Sequence, residues 1–179
     1  AADAPTAAAA ATTTAAKKPV PGPAKPDAEL DAYDEFVDKH YDTIMKFVAI
    51  DEDREATERF MLEHPEILNE HADGFLLLLC LDEAMKRVAR AQADEKAGVR
   101  RSTRELSKEK RDARRVVRQH LLLNYVLELA KVTKAEDPRA AVKPFFFKTA
   151  RSTKEQIVEF ETELVNFVDR IEKRAKDKI

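Results

Sequence analysis

His120–Lys148 reads HLLLNYVLELAKVTKAEDPRAAVKPFFFK, the densest apolar stretch of an otherwise polar chain. Leu121, Leu122, Tyr125, Leu129 and Val132 recur at helical spacing, which predicts a stripe buried against neighbouring elements. Asp137-Pro138 ends that helix and opens the next, because Asp caps well and Pro is best tolerated in a first turn. Val142, Phe145, Phe146 and Phe147 follow as a cluster expected in the core. The stretch offers packing and no catalytic group.

The rest of the chain shares its class. Of 179 residues, 44% are hydrophobic and only three are glycine, so turns are scarce and a core is possible. Alternating β-branched runs bounded by Gly-rich turns are missing. The reading is all-α: a compact bundle of about five to six helices followed by a long C-terminal helix. Cys80, the single cysteine, excludes an internal disulfide and sits in FLLLLCLDEAM, where it is expected as a buried thiol. No apolar run reaches the ~18 residues of a membrane span, and no signal-peptide pattern is present, so a cytoplasmic location is the expectation.

Charge is split along the chain. Asp27–Asp73 holds sixteen Asp/Glu against four Lys/Arg, a net of −12, while Lys86–Arg118 holds thirteen Lys/Arg against five Asp/Glu, a net of +8. Two faces of opposite sign could steer a partner or pair with each other, and solvated helix surface is the plain alternative.

Residues 1–27 are expected to be a disordered Ala/Thr/Pro-rich tail, with Pro19, Pro21, Pro23 and Pro26 opposing helix. Residues 28–150 form the helical domain. Its first helix covers about Ala28–Ile50, with Tyr33, Phe36, Val37, Tyr41, Ile44, Phe47 and Val48 on its apolar stripe, and a second follows from Arg54. His64-Pro65 interrupts. The next helix carries Phe75–Leu81, seven apolar residues in a row that predict burial on most sides. Residues 92–110 read as a mobile charged connection, partly helical, with a fourth helix starting near Ser107 or Lys108. Residues 151–179 start the long helix, capped by Ser152 or Thr153 with Glu155 completing a capping box. The helical pattern is still running at Ile179 and the chain begins without Met, so a piece of a longer protein is expected.

Chemistry is hard to find. His40, His64, His71 and His120 have no ligand-like spacing, and Pro65 separates the nearest two, so no metal is assigned. Cys80 has no histidine at a nucleophile spacing, and Gly22, Gly74 and Gly98 build no phosphate loop. No catalytic residue, cofactor or enzyme activity is therefore expected. Arg104, Lys108, Arg111, Arg115 and Arg118 could follow a phosphate backbone, but no aromatic residue is interleaved for base stacking, which argues against nucleic acid.

A resemblance supplies what chemistry does not. Leu127-Glu128-Leu129-Ala130-Lys131, Asp137-Pro138-Arg139-Ala140, Phe145-Phe146 and Lys148 resemble the middle domain of the cell-division-cycle 37 family, kinase-specific co-chaperones of heat-shock protein 90. Phe160, Glu163-Leu164, Phe167, Arg174-Ala175-Lys176 and Ile179 continue the likeness into the family's long helix, and Tyr41, Lys46, Cys80 and Asp82 extend it upstream. The resemblance implies a helical bundle that docks on the N-terminal ATPase domain of heat-shock protein 90. It also implies protein-kinase clients, engaged mainly through segments absent from this chain. A helical scaffold unrelated to chaperones is the alternative.

Three features depart from the family pattern. Its kinase-recruiting N-terminal signature is replaced by the Ala/Thr/Pro tail. At the turn after the first helix the family places an apolar residue and two arginines, where this chain has Ile50 with Glu52 and Asp53. The fourth helix's partner-facing positions fall at Asp112 and Arg115, after about twenty extra charged residues. Acidic residues at Glu52 and Asp53 would repel an acidic partner surface. Either the partner has changed in compensation or docking uses another face, such as Arg111, Arg114 and Arg115. The expected contact residues are Ile50, Glu52 and Asp53 with Arg111, Asp112, Arg114 and Arg115 at the basic start of the fourth helix.

Overall fold

The computed structural model describes residues 26–179, so the expected tail lies almost wholly outside the described residues. Six α-helices and one 3-10 turn follow in order: α1 (Pro26–Ala49), α2 (Arg54–Glu63), the turn Pro65–Ile67, α3 (Glu70–Lys96), α4 (Thr103–Val132), α5 (Arg139–Thr149) and α6 (Lys154–Lys178). The all-α bundle expected from composition is what forms.

Helices α3, α4 and α6 pack on one another, α1 lies across α3 and α4, and α2 packs on α5. The core joins Ile44 and Phe47 of α1, Leu76 and Cys80 of α3, Leu123 and Val126 of α4, Phe146 of α5 and Leu164 of α6. Helix α6 is part of this core, because Leu164, Ile171 and Ala175 are buried along it. The boundary drawn at residue 150 therefore separates a helix from the rest of a shared core.

Residues 92–110, expected as a mobile connection, are mostly the ends of two helices. Only Ala97–Ser102 is non-helical. Gly98 adopts φ +66°, with Gly98 N–H donating to the Glu95 carbonyl and Val99 N–H to the Asp94 carbonyl. That is a Schellman stop, and a Cβ at this φ would be strained. Ser102 and Glu105 then form a reciprocal capping box, which starts α4 one turn before Ser107. Arg101 reaches Asp94 at 3.0 Å and Glu109 at 2.6 Å, while Arg90 reaches Glu109 at 3.0 Å. A run of charge looks like loop in one dimension; here opposite charges face each other across two antiparallel helices.

Other expectations shift in detail. Thr153 caps α6, and Gln156, not Glu155, closes its capping box. Val132 is 78% exposed, because it is the last residue of α4 and nothing packs beyond it. Phe147 is 59% exposed and is covered by the Arg151 guanidinium, 3.9 Å from its ring centre, rather than by the core. Leu77 and Leu78 are 41% and 55% exposed, so α3 is not buried on most sides: α4 and α6 cover part of its circumference only.

Candidate partner-binding surface

The surface is built where α1 ends. Helix termini leave carbonyls without intrahelical donors. Here Gln119 of α4, fully buried, donates its side-chain amide to the Phe47 carbonyl at 3.1 Å and the Ile50 carbonyl at 3.2 Å. Gln119 thus fixes the edge that presents Ile50, which stays half-buried. Its own Oε1 is buried without a partner. Sequence reasoning missed this residue, since a glutamine beside His120 in a helix carries no one-dimensional sign of its contact 72 positions away.

Asp53 is held by local structure. Its carboxylate accepts from the Ala56 amide at 2.9 Å, capping α2, and its carbonyl accepts from the Thr57 hydroxyl at 2.7 Å. Glu52 beside it pairs with Arg114 of α4, whose Nε lies 2.7 Å from the carboxylate. Arg114 also binds Glu161 of α6. The Glu52 and then the Glu161 carboxylate raise the guanidinium pKa above its ordinary value. One arginine thereby ties the α1–α2 turn, α4 and α6 together. Of the acidic residues at this turn, Glu52 is ion-paired and Asp53 is engaged as a helix cap.

The other expected residues take a second aspect of α4. Arg115 and Asp112 pair with each other at 3.2 Å and line a groove of about 410 Å³ with Met45, Val48 and Leu79. Arg115 Nε is buried without a hydrogen-bond partner. Arg111 is exposed one turn before Arg115. The structure therefore brings Ile50, Glu52, Asp53 and Arg114 into one patch and sets Asp112 and Arg115 on the flank of the same helix.

The groups that might have carried chemistry have structural surroundings. Burial pushes the Cys80 thiol up to about 12, leaving a neutral, unreactive side chain. His120 Nδ1 and Asp73 Oδ1 face each other at 3.1 Å inside the bundle without hydrogen-bond alignment, while Asn124 donates to the other Asp73 oxygen at 3.2 Å. His64 contacts Glu66 at 3.0 Å, and His40 and His71 pack on the Phe36 ring.

Comparison with known proteins places this geometry. Residues 99–178, which run from the end of the α3–α4 turn through α6, match the family model of the Cdc37 Hsp90 binding domain. The chain is similar to Hsp90 co-chaperones of the Cdc37 name. It is 28% identical over 123 residues to the Hsp90 co-chaperone Cdc37 of Drosophila melanogaster, covering 69% of this chain and 26% of that protein. The Hsp90 co-chaperone Cdc37 of Gallus gallus is 25% identical over 144 residues, covering 80% of this chain and 31% of its own length. That of Dichotomyctere fluviatilis is 24% identical over 161 residues, covering 87% and 37%. The chain thus spans between 26% and 37% of the length of these curated relatives. The matched helices α4–α6 include the stretch that first suggested the family, and α1–α3 fall outside the family-model match.

Proposed function

We propose that this chain is a co-chaperone domain that binds heat-shock protein 90, a binding task rather than a catalytic one. The observation that carries the reading is the match of residues 99–178 to the Hsp90 binding domain of Cdc37. The contact is assigned to the N-terminal ATPase domain of the chaperone, with protein-kinase clients held mainly by segments outside this chain. The cytoplasmic setting expected from the sequence belongs to the same proposal.

On this chain the contact falls on Ile50, Glu52 and Asp53 together with Arg111, Asp112, Arg114 and Arg115. Pairing of Glu52 with Arg114 at 2.7 Å supports it, since a partner meets a compensated ion pair instead of a bare carboxylate.

Titrating isotope-labelled chain with the chaperone's N-terminal domain tests the proposal. Amide shifts are expected at Ile50–Asp53 and along Arg111–Arg115. Shifts confined to the end of α6 would overturn the assigned surface, and no saturable shift would overturn the function.

A further inference from the structure

A second groove, of about 560 Å³, opens between α4, α5 and the start of α6. Its lining is apolar: Leu122, Tyr125 and Leu129 from α4, Phe145 from α5, Ile157 and Phe160 from α6. Ile157 is 52% exposed at its mouth, an apolar side chain with no neighbour to cover it. The charged residues of the lining are unbalanced. Arg54, Arg118 and Lys148 contribute three cations against the single carboxylate of Glu128.

Arg118 is the distinctive member. Its Nη1 is buried and has no hydrogen-bond partner. Burial lowers its pKa, the Glu52 carboxylate opposes that shift and the Arg114 charge adds to it. Arg114, one turn earlier, takes both Glu52 and Glu161, leaving Arg118 with attraction at a distance only. A desolvated guanidinium beside an apolar groove favours a ligand that brings its own carboxylate.

We propose that this groove docks an acidic amphipathic segment of a partner protein, its apolar side chains on Tyr125, Phe145 and Phe160 and a carboxylate on Arg118. Charge complementarity selects the occupant. A basic segment would face three cations, and an uncharged one would leave the Arg118 guanidinium without a carboxylate in contact. The inference rests on this groove alone and does not need the Ile50 edge.

The test is selection of a phage-displayed peptide library on the full chain, with counter-selection on the Ile157→Glu variant. Peptides combining Phe, Leu or Trp with Asp or Glu are expected to enrich. Affinity of a synthetic copy of the top peptide, read by fluorescence anisotropy, should fall at least about tenfold on Arg118→Gln and about twofold on Lys148→Ala. Thermal melts of the three variants verify folding, which the exposure of Ile157 and the missing partner of Arg118 Nη1 favour. Enrichment of basic or uncharged peptides overturns the proposal, as does no enrichment. A concentration-dependent dimer in sedimentation that Ile157→Glu abolishes also overturns it, because the occupant is then a second copy. Chaperone titration reads Ile50–Asp53, so either proposal can fail while the other stands.

Discussion

Helix α4 has two halves that obey different rules. From Thr103 to Asp112 no residue is buried, and every buried residue of the helix lies at or beyond Ala113. The first half is fastened by a capping box and by ion pairs to α3. The second half is fastened by Val117, Leu121, Leu123 and Val126 in the core. Burial of apolar surface constrains shape and size together, whereas an exposed ion pair tolerates exchange of its members. Likeness to the co-chaperone relatives was legible in the second half, and the charged departures cluster where the two meet, at Asp112 and Arg115, and in the turn that pairs with Arg114.

The largest blow to this contrast comes from Leu123→Ala, which removes a fully buried side chain. It should cost about 2–5 kcal/mol in urea unfolding, while Leu106→Ala in the first half stays within about 0.5 kcal/mol. Equal losses at the two positions would erase the distinction between the halves. Gln119→Leu comes next. It removes the side-chain donor to the Phe47 and Ile50 carbonyls, the first of which keeps the Ile50 N–H, and should cost about 1–3 kcal/mol, with amide shifts concentrated at the end of α1. Unchanged Ile50 shifts would show that Gln119 does not set the edge.

Cys80 sharpens the buried side by pH. Its folded pKa is raised, so the unfolded thiol releases its proton first as pH climbs. The stabilising difference is complete below the ordinary thiol value near 9.0 and is lost between there and about 12. Within that window stability should fall by about 1.4 kcal/mol more per pH unit than in Cys80→Ala. Identical slopes in alkaline denaturation would mean the thiol is not shielded. The smallest effect belongs to the charged side. Glu52→Gln breaks an exposed pair with Arg114 and should cost about 0.2–1 kcal/mol, shrinking further in high salt. A double-mutant cycle with Glu161→Gln measures how far Arg114 couples α1–α2 to α6.

Much of the fold was legible because helical periodicity is a local property. Leu121, Leu122 and the cap at Thr153 act over three or four residues, and they appear where spacing and residue type place them. Val132 and Phe147 share the same periodic words yet face solvent, because exposure depends on whether another helix reaches that far. The candidate surface was legible as residue types only. Glu52 and Arg114 are 62 positions apart, and their pairing engages one carboxylate of the apparent acidic reversal.

By itself, the sequence determined an all-α chain, the order of its helices, a buried thiol and the likeness to the co-chaperone relatives. These follow from short-range backbone sterics, capping and the apolar period. Tertiary structure alone decided that α6 folds into the core, that Gln119 holds the Ile50 edge, that Arg114 is spent on two carboxylates and that Arg118 is left beside an apolar groove. Such facts depend on which side chains meet across the bundle, and the energies that select those meetings are sums over the whole fold rather than properties of any local word.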